Sequence, residues 1–221
     1  MLVSHRFGIT ETSEKTLEFN VLNELAAYLW SKFGLTLTVI SPTQAEEDRL
    51  GFDDVIEGLP PGQVLAVQFK RPKEMIRPKD ATRFTLDTSQ LNRLATNFSR
   101  NQAYVFLAPL PKNEQVVKLR RRLLTVTLAL DIFNIPNLHK TTQKTRTVRL
   151  YTHGTLTGTP HVEVADPRRY QVIEGIKTVA ELSEMVAKRD AGYTIRGIET
   201  RPDRPKRRGI RKLYYLHVSR D

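Results

Sequence analysis

The sequence contains no cysteine, and this absence removes several kinds of chemistry at once. Disulfides, thiolate metal sites and cysteine nucleophiles are all excluded, because each of them needs a thiol. Long apolar runs are also missing: the mean hydropathy is −0.40, and no stretch approaches the roughly 20 residues of a membrane span. Residues 1–10 hold charged side chains and no apolar segment, so no signal peptide is expected. We therefore predict a cytoplasmic protein without membrane contact.

Acidic and basic side chains are distributed unevenly along the chain. Residues 1–60 have a net charge of −6, whereas residues 61–111 and 112–149 have net charges of +5 and +7. Residues 150–199 are nearly neutral at −1, residues 200–221 carry +6, and the whole chain carries +11. An evenly solubilising surface would not give this distribution. It indicates carboxylates gathered for a cation early in the chain and phosphate-binding surfaces later.

Hydrophobic periodicity predicts a mixed α/β domain over residues 1–111. A helix is expected from Glu14 to Phe33, with Ser13 (alternatively Thr12 or Thr10) as N-cap and Gly34 as C-cap. Two prolines and a glycine at 59–62 predict a tight turn between antiparallel strands. The expected strands are 35–40, 51–56, 64–69, 83–86 and 103–108, with a polar connection over 43–49 and a helix from a cap at Thr88 or Ser89 to Phe98.

Residues 112–221 are predicted to form a basic α+β region that binds nucleic acid or mediates oligomerisation. A long helix is expected over 113–133, and a shorter helix is expected around 179–186. The loop 201–211 is dense in Arg, Lys and Pro. The expected strands of this region are 147–151, 162–164, 193–198 and 213–218.

Two polar side chains, Gln68 and Lys70, interrupt the apolar pattern at the end of the strand predicted at 64–69. Because strand residues alternate between faces, Gln68 and Lys70 share one face, while Val67 and Phe69 share the other. Polar residues that break an apolar pattern tend to mark functional sites. Alternatively, Lys70 and Arg71 are typical of charged residues that keep an exposed edge strand from aggregating.

Carboxylates elsewhere in the first quarter could complete a site with this polar pair. Asp53 and Asp54 lie in the partner strand of the predicted hairpin, and only one of them can face the pair. A carboxylate inside an apolar strand costs free energy unless a charge or metal offsets it. Glu18 lies at the edge of the apolar face of the first helix, and Glu14, one turn earlier, is the alternative.

In this order along the chain, the residues resemble the PD-(D/E)xK nuclease superfamily. The resemblance rests on a helix with a glutamate, a Gly-x-Asp segment, a tight turn and a strand with Gln-x-Lys, followed by a helix and a strand. It favours Asp53 over its neighbour and implies Glu18, Asp53, Gln68 and Lys70 as catalytic residues. Gln68 stands where Asp or Glu is usual, as in Gln-x-Lys variants of the superfamily. The implied fold is a restriction-endonuclease-like mixed sheet flanked by helices, over residues 1–111, followed by an α+β C-terminal part.

The resemblance also implies a chemistry. Asp53, Glu18, the amide oxygen of Gln68 and the backbone carbonyl of Phe69 would hold Mg²⁺ or Mn²⁺, because such hard cations prefer oxygen ligands. A cation there polarises the scissile phosphate and lowers the pKa of a bound water. Lys70 would orient that water or stabilise the developing negative charge.

Basic and polar side chains outside this group are predicted to contact nucleic acid. Gln90 and Arg93 belong to a helix that borders the active site in the resembling superfamily, although a solvated helix surface explains them equally well. The basic residues near 120 and in the loop 201–211 suit phosphate contacts. The full predicted set is Arg71, Lys73, Gln90, Arg93, Arg120, Arg121, Lys206, Arg207, Arg208 and Arg211.

We therefore expect a divalent-metal-dependent endonuclease that hydrolyses phosphodiester bonds, in defence, transposition or repair. DNA is favoured over RNA as its partner. Because a double-strand break usually takes two sites, a homodimer or a partner protein in a larger complex is expected. A second hypothesis, of a different class, is a catalytically inactive nucleic-acid-binding or assembly module with a nuclease-like fold.

Overall fold

The computed structural model describes residues 10–59, 63–76, 81–138, 142–151, 161–166, 169–188 and 193–194. These residues form two β-sheets, of seven and five strands, together with helices. The strands are β1 (Thr38–Ile40), β2 (Asp54–Leu59), β3 (Gln63–Lys70), β4 (Glu74–Ile76), β5 (Ala81–Asp87), β6 (Ala103–Leu107), β7 (Leu128–Asp131), β8 (Thr145–Tyr151), β9 (His161–Asp166), β10 (Arg169–Val172), β11 (Lys177–Thr178) and β12 (Tyr193–Thr194). The helices are α1 (Glu14–Phe33), α2 (Gln44–Leu50), α3 (Thr88–Asn97), α4 (Asn113–Lys118), α5 (Leu123–Val126) and α6 (Val179–Ala187).

The larger sheet is mixed and has the order β1-β2-β3-β6-β7-β11, with β12 paired to the start of β3. Strands β3 and β6 run parallel, whereas the other neighbouring strands of this sheet run antiparallel. The smaller sheet has the antiparallel order β10-β9-β8-β5-β4. The predicted class, a mixed α/β fold with a mixed sheet flanked by helices, is confirmed.

Alternation along β3 divides the interior into two cores. Leu65, Val67 and Phe69 pack with α1, α5 and α6 on one face of the larger sheet. Ala66 lies on the opposite face, in a core shared with α3 and with the inward side chains of the smaller sheet. Gln68 follows Ala66 on this second face and is fully buried. A neutral amide is thus placed at the rim of an apolar core.

The predicted ends of α1 and the predicted hairpin are confirmed. Ser13 caps α1 because its Oγ accepts a hydrogen bond from the Thr16 N–H (3.0 Å). Gly34 ends the helix in the left-handed region at φ 65°, and its N–H donates to the Trp30 carbonyl. Strands β2 and β3 pair antiparallel, with Asp54 opposite Val67.

The helix predicted over 113–133 is wrong. The segment instead contains α4, α5, β7 and a 3₁₀ turn at Ile132–Asn134. Arg121, between α4 and α5, has a left-handed backbone with φ 70°, which interrupts the helical path. The residues of β7 are all buried, and periodicity alone cannot separate a buried strand from a buried helix. Pairing with β6 satisfies backbone groups that would otherwise stay unpaired at the edge of the sheet.

Other local predictions also need correction. The polar connection predicted at 43–49 contains helix α2, and the strand predicted at 51–56 begins only at Asp54. The cap of α3 is Asp87, whose side chain accepts hydrogen bonds from the N–H groups of Ser89 and Gln90. Strands β4, β10 and β11 were not predicted. The rest of the strand predicted at 193–198, the strand at 213–218 and the loop 201–211 lie outside the described residues.

Both sheets contain strands from each side of residue 111, the boundary predicted between two domains. Strand β7 pairs with β6 in the larger sheet, and β8 pairs with β5 in the smaller one. The described part of the second half therefore shares its cores with the first half. No helix in the described ranges is both long enough and apolar enough to cross a membrane.

Candidate functional site

Asp53 lies at the mouth of the β2–β3 hairpin, one residue before β2 begins. Its Oδ2 accepts a 2.6 Å hydrogen bond from the Phe69 N–H, and its own N–H donates to the Val67 carbonyl at 3.0 Å. These two bonds clamp the carboxylate against the backbone of β3. The apolar side chain of Phe69 points the other way, into the core against Phe106. The register of the hairpin thereby brings Asp53 to the Gln-x-Lys segment.

Gln68 joins the site to α3 and α2 through a chain of side chains. Its Nε2 donates to Gln90 Oε1 at 2.7 Å, and Gln90 Nε2 lies 3.5 Å from Glu47 Oε1, at the long limit of a hydrogen bond. The Oε1 of Gln68 is buried and has no hydrogen-bond partner among the described residues. A buried acceptor in this state costs free energy unless a donor or a cation reaches it.

Lys70 forms an ion pair with Glu14, the first residue of α1. Its Nζ lies 3.3 Å from Glu14 Oε2, and the lysine side chain is only 12% exposed. Glu18, predicted over Glu14, lies one turn further along α1 and forms its ion pair with Lys15. The structure therefore brings together Asp53, Lys70 and Glu14. Charged neighbours of Glu18 include Lys15, Asp54 and Glu47.

The electrostatics of the site are dominated by burial of carboxylates. Burial raises the pKa of Asp53 to about 7; Lys70 and the Phe69 N–H oppose this rise, and the nearby carboxylates of Glu47 and Glu14 add to it. Burial also raises the pKa of Glu18, although its hydrogen bond with Lys15 opposes the shift. Carboxylates held in this way gain from a cation that neutralises them.

Asp54 points away from this group, as strand alternation requires. It is fully buried, and the Ser41 hydroxyl donates to its Oδ1 at 2.5 Å. Near it, between α1 and β1, lies an open groove of about 660 Å³ whose lining includes Glu18, Phe19 and Ser41. Phe19 is 65% exposed, so the groove offers solvent an aromatic face directly beside Glu18.

Asp53 and Gln68 offer oxygen donors of the kind that hard divalent cations prefer. No group of three or more His, Cys, Asp or Glu side chains that could hold a metal occurs within the described parts of the chain. The oxygens present are of mixed kind: the carboxylate of Asp53 and the unpartnered amide oxygen of Gln68. Mg²⁺ and Mn²⁺ accept such a set and complete their coordination with water.

The predicted nucleic-acid contacts that the structure describes fall in three places. Arg71 and Lys73 are exposed just after Lys70, at the edge of the site. Gln90 lies inside the site, and Arg93, one turn later, is half-buried. The exposed turn between α4 and α5 holds Arg120 and Arg121, whereas Lys206, Arg207, Arg208 and Arg211 lie outside the described residues.

Sequence reasoning missed Glu47, which belongs to a segment expected to be irregular. Two signals could have revealed its helix. Thr43 and Glu46 have the spacing of a capping box, and the Thr43 N–H donates to Glu46 Oε2 at 3.0 Å. Gly51 follows the helix as a left-handed C-cap at φ 86°.

Once this geometry is known, comparison with known proteins adds no relative. Searches against protein-family models, curated proteins and solved structures found no match to the chain.

Proposed function

We propose that this protein is a divalent-metal-dependent endonuclease with a restriction-endonuclease-like core, acting on DNA. One observation carries the proposal: Asp53, Gln68 and Lys70 meet at the end of one hairpin, where the amide oxygen of Gln68 is buried without a partner among the described residues. An amide oxygen buried without a partner, one residue from the N–H group that binds a carboxylate of raised pKa, is the kind of combination that marks functional sites.

Asp53 and the Gln68 Oε1 would hold Mg²⁺ or Mn²⁺ in this proposal, with the Phe69 carbonyl and Glu18 as further candidate oxygens. The bound cation supplies polarisation of the scissile phosphate and a more acidic water. The raised pKa of Asp53 means that this carboxyl must lose a proton before it can act as a ligand.

Lys70 provides the positive charge of the site. Its ammonium group is held by Glu14 on one side, and Asp53 lies near enough for the lysine to lower the pKa of the aspartate. A fixed ammonium at this position can stabilise negative charge that develops on a phosphate oxygen. Glu14 restrains the lysine chain, so that less rotamer freedom is lost when substrate binds.

A nucleic-acid substrate suits the surroundings of the site. Arg71 and Lys73 flank it with exposed positive charge, which phosphates attract. On the other side, the groove beside Glu18 exposes the ring of Phe19, on which an unpaired base could stack. Two such sites are needed for a double-strand break, so we expect a homodimer or a partner protein during cleavage.

The proposal is tested by plasmid nicking in Mg²⁺, Mn²⁺ or EDTA with the wild type and Lys70→Ala. Nicking is expected in either metal, to disappear in EDTA and to fall by at least about 100-fold in the variant, because preorganised charge stabilisation contributes on this scale. Lys32→Ala is the matched control, since it also truncates a lysine that is ion-paired with a glutamate, Glu184, away from the site. This control should cleave like the wild type.

DNA binding measured by fluorescence anisotropy separates catalysis from affinity. Lys70→Ala should keep most of the salt-sensitive binding of the wild type. Cleavage by Lys70→Ala at the wild-type rate would overturn the assignment of the site. Metal-independent or absent cleavage by the wild type, with binding retained, would favour the inactive binding module instead.

A further inference from the structure

A glutamine differs from a carboxylate in a way that matters for a cation ligand. Both oxygens of Asp or Glu can bind a cation, whereas the amide of Gln68 has one oxygen and one NH₂ group. If the amide turned by 180°, it would direct two N–H donors at the cation instead of an acceptor. A site that uses glutamine therefore needs a device that fixes the orientation of the amide.

The hydrogen bonds that link Glu47, Gln90 and Gln68 run in a defined direction. Glu47 is an acceptor when ionised, so Gln90 must direct its NH₂ group towards Glu47. The oxygen of Gln90 then faces Gln68 and accepts the 2.7 Å hydrogen bond from its Nε2. The Gln68 oxygen is consequently directed away from Gln90, and it is this atom that lacks a partner among the described residues.

The backbone holds Glu47 and Gln90 in place beside each other. Glu47 lies in α2, whose first turn is closed by the hydrogen bond from the Thr43 N–H to Glu46. At the other end of α2, the Gly51 N–H donates to the Glu47 carbonyl at 2.7 Å. A Cβ at Gly51 would lie 2.6 Å from the Gln90 carbonyl oxygen, so α2 and α3 approach as closely as only glycine allows.

We propose that Glu47 is a positioning residue that acts through Gln90 to present the Gln68 amide oxygen, rather than its NH₂ group, to a divalent cation. The inference rests on the proposed function, because it assigns Gln68 as a ligand. The ionised carboxylate of Glu47, which can only accept hydrogen bonds, thus orients the Gln90 amide, and the Gln90 amide in turn orients the Gln68 amide. Glu47 takes no ligand role in this scheme.

A double-mutant cycle tests the orientation directly. Mn²⁺ affinity is measured by calorimetry for the wild type, Glu47→Gln, Gln68→Glu and the double variant. Glu47→Gln should weaken Mn²⁺ binding by about tenfold, as loss of an orienting outer partner does, because glutamine can turn either its oxygen or its NH₂ group towards Gln90 and no longer selects one orientation. In the Gln68→Glu background the same change should cost less than about threefold, because either oxygen of a carboxylate can bind the cation.

Glu46→Gln is the matched charge control: it removes the same charge one residue away, and the oxygen of glutamine still accepts the hydrogen bond from the Thr43 N–H that closes the first turn of α2. It should leave Mn²⁺ affinity within about twofold of the wild type, because an exposed charge is screened by solvent and salt. Equal weakening by Glu47→Gln in both backgrounds would show a simple charge effect and would overturn the inference. Urea unfolding of each variant shows that the compared proteins are folded.

The metal-free protein provides a second measurement that does not depend on the proposed function. The side-chain NH₂ signals of Gln68 and Gln90 in a ¹⁵N spectrum should shift in Glu47→Gln and stay in place in Glu46→Gln. If the wild type binds no Mn²⁺, the proposed function fails, while shifted Gln68 and Gln90 signals would still support the orienting chain. Unchanged signals in Glu47→Gln would overturn that chain whatever the metal result.

Discussion

The substitution Asp53→Asn separates a functional carboxylate from a structural one. Asn keeps the shape of the side chain and an oxygen that can accept the hydrogen bond from the Phe69 N–H. It removes the ionisation that burial opposes in the wild type. We therefore expect the metal-free variant to be more stable than the wild type at neutral pH, while its cleavage is lost.

The size and pH window of this effect follow from the pKa of Asp53. A folded-state pKa of about 7 against an ordinary value of 3.8 corresponds to at most about 4 kcal/mol, and relaxation of the site should leave roughly half of that. Between the two pKa values the unfolded chain has lost the proton that the folded chain keeps. Stability of the wild type therefore falls, through this group, as pH rises from about 4 to about 7.

Urea unfolding of both proteins in EDTA at several pH values between 5 and 8 measures the effect. The advantage of Asp53→Asn should grow with pH up to about 7 and then stay constant. Asp87→Asn is a control of opposite sign: burial raises the pKa of Asp87, but hydrogen bonds from Ser89 and Gln90 outweigh it and hold the pKa below its usual value. An Asp53→Asn protein that is less stable than the wild type at every pH would show that the ionised carboxylate stabilises the fold, contrary to this prediction.

Three further predictions address the pH dependence of metal binding, the Gly51 contact and the groove. The Mn²⁺ affinity measured by calorimetry should rise about tenfold per pH unit below pH 7 and level off above pH 7, because a proton competes with the cation for Asp53. An affinity that does not change with pH would contradict this prediction. Gly51→Ala should lower the unfolding free energy by more than about 2 kcal/mol. Gly34→Ala should lower it by about 1 kcal/mol, because a Cβ at Gly34 meets no described atom within 4 Å. Equal losses in the two variants would argue against the close contact at Gly51. Phe19→Ala should weaken single-stranded DNA binding by about 1–3 kcal/mol in anisotropy titrations. Trp30→Ala removes a similarly exposed ring from the same helix and should leave this binding unchanged. Equal effects of the two substitutions would show that the groove does not bind DNA.

Local signals were sufficient where a few residues decide the structure. Ser13 and Gly34 bound α1 because one offers a side-chain acceptor and the other tolerates a left-handed backbone. The alternation of Gln68 and Lys70 with apolar neighbours placed both on one face of β3 before any tertiary information. The same alternation correctly required Asp53 and Asp54 to face different surroundings.

Prediction failed where tertiary contacts decide. The apolar residues of β7 are compatible with a buried helix or a buried strand. They form a strand because their backbone pairs with the edge of β6. Glu47 could not be assigned to the site because its contact with Gln90 depends on how α2 packs against α3. The ion pair between Lys70 and Glu14, which no local pattern indicates, likewise depends on the angle at which α1 enters the fold.

A crystal soaked with Mn²⁺, in which anomalous scattering locates the metal, shows which residues bind the cation. Mn²⁺ should be bound by the Asp53 carboxylate and the Gln68 Oε1, with the Gln90 oxygen still bonded to the Gln68 NH₂ group. Mn²⁺ held elsewhere, or absent from these two residues at a concentration that supports cleavage, would contradict this assignment.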